Sequence, residues 1–196
     1  MVAIVCLHGL LSTPAVWDGV EAALGRTVIR PALPDSDDFE GMAATLAAGL
    51  PERCLLAGHS LGGYLALAVQ ARAPDRVAGL ALISATAAAD ADRQRSIRRK
   101  VVAWAHGAGI DALAESLADT LLAEGRRGDD ALRGTMQAMA QETGLDTFAR
   151  HQAAIASRPD RTGRLAGIAC PLRAVTGAED TVTPPAAGRA MADAAP

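Results

Sequence analysis

The chain has 196 residues, the length of one ordinary domain, and a net charge of −3. Half of it is nominally hydrophobic, but 45 of those residues are Ala, which leaves about 27% truly apolar residues, enough to fill one core. A mildly acidic chain with no extended basic stripe argues against a nucleic-acid partner, the lack of any apolar run of membrane-spanning length argues against a membrane partner, and a charged fraction of 21% argues against disorder.

Val2–Leu7 is a continuous apolar run rich in β-branched residues and reads as a buried strand. It has no positive leading region and runs directly into His8-Gly9, so it is not a secretory signal, and the expected location is cytoplasmic. Ser12-Thr13-Pro14 then signals a helix start, with Thr13 able to cap and Pro14 suited to the first helical position; that helix runs to about Leu24. Thr27–Ile29 is a short predicted strand, broken by Pro31 and Pro34. Phe39–Leu50 is a second helix and Arg53–Ala57 a strand. Leu61–Arg72 is a helix apolar almost all round, closed by Pro74, and Val77–Ile83 is the next strand. This alternation predicts an α/β fold, a doubly wound and mostly parallel sheet with helices on both faces. Cys6, Cys54 and Cys170 each lie in or beside a predicted strand and read as small buried hydrophobes in a reducing compartment, with no disulfide and no metal site.

After the strand ending near Ser84 the rhythm stops. Residues 86–164 carry only helical patterns, at roughly Ala91–Ala105, Ile110–Ala123, Asp129–Glu142 and Thr147–Ala156. A simple crossover needs little more than about a dozen residues, so this stretch is expected to fold over the sheet as a helical lid. A strand returns at Leu172–Thr176, followed by the loop Gly177–Pro185 and a last helix over Ala186–Ala194. All 196 residues read as a single domain.

Three segments carry chemistry. The first is Gly58-His59-Ser60-Leu61-Gly62-Gly63, set between a predicted strand and a predicted buried helix. That placement is what a nucleophile elbow requires: a strained turn presents its central residue at the carboxyl end of the sheet, and small residues must flank it two positions away. The Leu61 N–H opens the helix and faces the same space, where it can donate to a developing oxyanion with the helix dipole adding to it. The second segment is His8-Gly9-Leu10-Leu11, directly after the first strand. A second oxyanion donor comes from such a loop, and Leu10 N–H is the candidate, with His8 pinning the loop through its ring nitrogens or standing there without a role. The third is Gly177-Ala178-Glu179-Asp180, which puts Asp180 at the carboxyl edge of the sheet, where ligands of open α/β sheets bind; an Asp there can equally cap the helix after Pro184-Pro185. No ligand cluster and no Gly-x-Gly-x-x-Gly motif after a strand implies a metal or an organic cofactor.

These pieces, in this order, resemble the α/β-hydrolase superfamily, and its small esterase-like members in particular. The resemblance runs from His8-Gly9-Leu10-Leu11 through Gly58–Gly63 to Pro171–Asp180, with Ala73-Pro74-Asp75-Arg76-Val77 and, more weakly, Ser157-Arg158-Pro159-Asp160 also similar. It implies Ser60 as nucleophile, Asp180 as triad acid, the Leu10 and Leu61 amides as oxyanion hole, and a small-molecule acyl substrate contacted by His8 and His151. The family order is Ser, acid, His, yet no His follows His151. The reading is therefore of a chain that lacks the family's C-terminal strand, helix and catalytic His, and such a sheet is expected to leave an open parallel edge and an uncovered apolar face. Among the remaining rings His151, on the last lid helix, is the first alternative base, ahead of His106; His59 faces away from the nucleophile. Two competing functions stay open: a lyase of the same fold, similar to the menaquinone-pathway synthase, and a non-catalytic relative. A dehalogenase is disfavoured because that chemistry uses Asp where Ser60 stands. Arg93, Arg95, Arg98, Arg99 and Lys100 form either a solvated basic face or, through one inward Arg, a clamp for a substrate carboxylate, the feature that would favour the lyase.

Overall fold

The computed structural model describes residues 2–196. Four strands, β1 (Ala3–Leu7), β2 (Cys54–His59), β3 (Val77–Ile83) and β4 (Leu172–Val175), form one parallel sheet in the order β1-β2-β3-β4 among the described residues. All four carboxyl ends therefore meet at one edge. The predicted strand at Thr27–Ile29 shrinks to a single bridge, Val5 with Ile29. Between Gly25, in the left-handed region at φ 60°, and Pro31, which cannot donate, the chain has room for one pair of hydrogen bonds only, Cys6 N–H to Ile29 O and Ile29 N–H to Ile4 O, both 2.8 Å.

The predicted helix at Pro14–Leu24 divides into a 3-10 turn, Pro14–Trp17, and α1 (Asp18–Leu24). Helices α2 (Phe39–Ala48) and α3 (Leu61–Arg72) cover one sheet face, where Val5, Leu7, Leu56 and Leu82 pack with Phe39, Met42, Leu65 and Val69. Residues 61–70 of α3 are all buried, which explains why that helix reads as apolar almost all round. Trp17 and Val28 cover Cys6 on the other face, with Ile4, Ala57 and Ile83 beside them. Beyond that patch Leu55 and Val175 are 43% and 54% exposed, and among the described residues β4 has a strand neighbour, β3, on one side.

Between β3 and β4 stand α4 (Asp92–Ala108), α5 (Ile110–Leu121), α6 (Asp130–Thr143) and α7 (Leu145–Ser157), close to the four predicted segments; α8 (Pro185–Ala194) packs on β4. The four helices share a small core of Ala105, Leu113, Ala140 and Phe148, onto which Leu11 packs. Their two ends are joined by one buried carboxylate. Asp90, in the segment leading into α4, accepts from Arg158 Nη1 at 2.7 Å, just after α7, and from Arg98 Nε on α4. Arg98 Nη1 also donates to Gln152 Oε1 at 2.8 Å, and Arg158 donates to the carbonyls of Ile155 and Ala88 at 2.9 and 3.0 Å. The Arg158 guanidinium lies 4.2 Å from the centre of the Tyr64 ring, so α3 joins the cluster through a cation–π contact. Burial pushes the Asp90 carboxyl up, but the Arg98 hydrogen bond and the charges of Arg158 and Arg98 outweigh it and hold it below its ordinary value. Asp90→Asn is expected to lower the unfolding free energy by about 3–5 kcal/mol, because two largely buried guanidinium groups lose their counter-ion. Arg126→Ala, which breaks an exposed pair with Asp129, is expected to cost less than about 1 kcal/mol. Urea unfolding of the two variants measures the contrast.

Candidate active site

The elbow is built by close approach. Ser60 sits at φ 52° and ψ −115°, a conformation that costs a non-glycine residue roughly 1–3 kcal/mol and persists only when its surroundings enforce it. The surroundings are visible. Ser60 N–H donates to Ile83 O at 2.9 Å, tying the turn to β3, and Ser60 O accepts from Gly63 N–H at 2.8 Å, starting α3. A side chain on Gly58 would collide with the Gly62 carbonyl, and one on Gly62 with the carbonyls of Leu7 and His8. The first turn of α3 thus rests on the backbone ends of β1 and β2. Leu61, the first helical residue, has an N–H with no intrahelical partner.

The same approach brings the His8–Leu11 loop to the elbow. Gly9 lies against the His59 ring, with no space for a Cβ between them, and Leu11 takes a positive φ of 51°. His8 is buried, and both ring nitrogens are occupied: Leu33 N–H donates to Nε2 at 3.2 Å, so Nδ1 carries the proton and donates to Gly9 O at 3.0 Å. Burial, helped by the neighbouring His151 and His59 rings, pushes its pKa down to about 4 against the opposing Gly9 hydrogen bond. No ring nitrogen of His8 is left for a ligand; the ring pins the loop. Leu10 and Leu11 pack against the α4–α7 core, and Ser12 Oγ donates to Met139 Sδ at 3.6 Å.

Asp180 follows β4 through the turn Gly177–Asp180, closed by Asp180 N–H to Gly177 O at 3.1 Å. Its Oδ1 accepts from Val182 N–H at 3.0 Å and Thr183 N–H at 2.7 Å, which fixes the carboxylate at the sheet edge. Its charge reaches His59, whose pKa burial nonetheless lowers. The His59 Nδ1 is buried with no hydrogen-bond partner. Among the described residues no His ring nitrogen hydrogen-bonds Ser60 Oγ. His151 is buried on α7, and its Nε2 donates to Pro34 O at 3.0 Å; His106, exposed, bonds Val102 O within its own helix at 2.8 Å.

The basic stretch of α4 divides. Arg93, Arg99 and Lys100 are exposed, and Arg95 pairs with Asp92. Arg98 does turn inward, but onto Asp90 and Gln152, so of the two readings of this stretch the substrate clamp would have to use a guanidinium that already has a carboxylate. Asp90 and Gln152 carried no readable signal in the sequence. Asp90 sits in an Ala-rich run, and only folding brings its partners from 8 to 68 residues away.

The sequence pattern of the alpha/beta hydrolase family matches residues 4–196. A pimeloyl-[acyl-carrier protein] methyl ester esterase of Chromobacterium violaceum is 32% identical over 181 residues, covering 85% of this chain. The chain spans 66% of that relative's length. Among solved structures, a thermophilic esterase from Thermogutta terrifontis superposes with a TM-score of 0.88 at 26% identity, over all of this chain and 78% of its own. The enol-lactonase from Burkholderia xenovorans LB400 superposes at 0.85 and 22% identity, over all of this chain and 80% of its own, a likeness of fold.

The His8 geometry has a consequence for stability. An unfolded His binds its proton near pH 6.5, whereas folded His8 resists protonation until about pH 4, because burial disfavours the charged ring. The folded state therefore binds fewer protons across that window, and stability falls as pH drops from about 6.5 to about 4, by about 3 kcal/mol from this group. Urea unfolding across that range is expected to show this loss, and His8→Gln, which does not titrate, is expected to flatten it. An unchanged slope in the variant would show that His8 is not the group responsible.

Proposed function

Because the chain belongs to the α/β-hydrolase family, we propose that it is an ester hydrolase in which Ser60 attacks the acyl carbonyl of a carboxylic ester or thioester. The observation that carries the reading is the φ of 52° at Ser60, enforced by Gly58 and Gly62: strain of this kind, at the carboxyl edge of a parallel sheet, is what presents a nucleophile. In this reading the Leu10 and Leu61 amides hold the oxyanion. An imidazole oriented by Asp180 takes the Ser60 proton and returns it to the leaving group, water then releases the acyl group, and Asp180 balances the imidazolium charge. The four helices of residues 86–164 act as the lid over the acyl group, and the substrate is a small molecule reached from the cytoplasm. Among the described residues no His ring nitrogen hydrogen-bonds Ser60 Oγ; a site without its base keeps roughly 10³–10⁴ of catalysis over water, from the oxyanion hole and binding.

The acyl group is read as uncharged. Arg98 and Arg158 turn inward onto Asp90, and Arg161, whose side chain is 12% exposed, turns inward onto Glu40, so each of these three guanidinium groups already has a carboxylate. This weighs against the lyase reading, which needs an inward Arg free for an anionic substrate.

The test is hydrolysis of p-nitrophenyl butyrate, with and without free imidazole to stand in for the base, against Ser60→Ala as background. A Ser60-dependent rate, rising with imidazole, is expected. The succinyl half-ester, which carries a free carboxylate, is expected to be at least about tenfold poorer in kcat/KM, since Arg98, Arg158 and Arg161 are each already paired with a carboxylate. Equal rates for the native chain and Ser60→Ala under both conditions would overturn the nucleophile. A preference for the succinyl substrate would overturn the uncharged acyl class.

A further inference from the structure

The turn Leu33–Asp35 is gripped from two sides. On one side Leu33 N–H donates to His8 Nε2 at 3.2 Å, and His8 Nδ1–H donates to Gly9 O at 3.0 Å, next to the Leu10 amide. On the other side α7 holds the next two residues. His151 Nε2–H donates to Pro34 O at 3.0 Å, and Arg150 forms a two-point pair with the Asp35 carboxylate at 2.7 and 2.6 Å. His8 and His151 are 6% and 2% exposed, so this connection runs through the interior.

His151 keeps its ring at a cost. With the proton on Nε2, its Nδ1 is a bare lone pair, buried with no partner, which disfavours the fold by about 1–3 kcal/mol relative to a satisfied group. A purely apolar side chain at that place would avoid the penalty and lose only the bond to Pro34 O. The ring is thus explained by what Nε2 holds. Charge points the same way: burial lowers the His151 pKa, with Asp35 pulling it up and Arg150 pushing it down, and a charged ring is not needed for a bond in which Nε2 only donates.

We propose that His151 is a positioning residue: through the Leu33–Asp35 turn it fixes the His8 ring, and with it the Gly9–Leu11 backbone, in register with α7. This rests on the reading of Leu10 N–H as an oxyanion donor for its catalytic meaning, but the linkage itself does not. It couples the helices between β3 and β4 to the oxyanion loop by a route separate from the Leu10 and Leu11 packing. It also gives the segment after Ile29 a task, since the Leu33 and Pro34 backbone groups pass position from α7 to the loop after β1.

The experiment is NMR on the whole 196-residue chain, which needs no activity. Three signals are followed: exchange of the Leu33 amide, the ring-nitrogen shifts of His8, and the Leu10 amide cross-peak. His151→Phe is expected to raise Leu33 exchange about tenfold, the loss of one buried hydrogen bond, to mix the His8 tautomers and to move the Leu10 peak. Amides of α5 and α6 are expected to stay as they were. His151→Gln, whose side-chain amide can still donate to Pro34 O, is expected to restore all three signals. Asp35→Ala, a change at an exposed side chain that leaves no cavity, is expected to shift the same signals less, which keeps the test open if the Phe variant folds poorly. An unmoved His8 and Leu10 in both His151→Phe and Asp35→Ala overturns the proposal. So does an exchange increase spread evenly over α5 and α6, or a Gln variant that behaves as Phe. Loss of Ser60-dependent hydrolysis with these signals intact would count against the hydrolase reading and leave the linkage standing.

Discussion

The site depends on one close approach. The first turn of α3 rests directly on the backbone ends of β1 and β2, and it can do so only because positions 58 and 62 lack side chains. Everything else at the carboxyl edge follows from that contact. It holds Ser60 at its positive φ, leaves the Leu61 N–H without an intrahelical partner at the helix start, and sets the His8–Leu11 loop beside this turn. The strain at Ser60 is then the local expression of a packing decision taken by glycines, and the buried α3 is what makes that decision affordable.

Charge is handled in a matching way. The interior contains few ionised groups, and the deepest carboxylate, Asp90, is balanced by two guanidinium groups drawn from both ends of the helical insertion. A buried pair of this kind is weak evidence for net stability, because a well-packed apolar cluster can do as well. It is specific, however. Only one arrangement of α4, α7 and the segments before and after them satisfies Asp90, Arg98, Gln152 and Arg158 together, and the Tyr64 contact carries that arrangement to the helix that starts at Ser60.

The legibility of the sequence followed the range of the forces involved. Leu61–Arg72 and Val77–Ile83 are legible to the residue, because a helix apolar almost all round and a short continuous apolar run are local signals. The turn at Ser60 is legible in part: the spacing of Gly58, Ser60 and Gly62 is local, while the Leu7 and His8 carbonyls that demand Gly62 come from a distant strand. Thr27–Ile29 was overread as a strand because local propensity does not say how many partners a segment will find between Gly25 and Pro31. The destination of Arg98 was not readable at all. A helical basic stretch shows which residues share a face, while Asp90 and Gln152 reach that face only through the tertiary fold. The rings of His8 and His151 lay between these cases, visible as candidates but with partners, Leu33 N–H and Pro34 O, that are backbone groups and so carry no signature in residue type.

These strands of argument meet in the electrostatics of the carboxyl edge. His8, His59 and His151 are all pushed by burial towards the neutral form, and His8 and His151 spend ring nitrogens on backbone groups. Of the three, His59 is the ring that the Asp180 charge reaches, and burial still lowers its pKa. In the hydrolase reading this matters at the moment of acyl transfer. The imidazolium that forms when Ser60 gives up its proton would be attracted to Asp180 in the transition state, an attraction that the neutral ring of the ground state lacks. An anionic substrate would find no partner in such a place, whereas an uncharged acyl group would bring no charge that needs one.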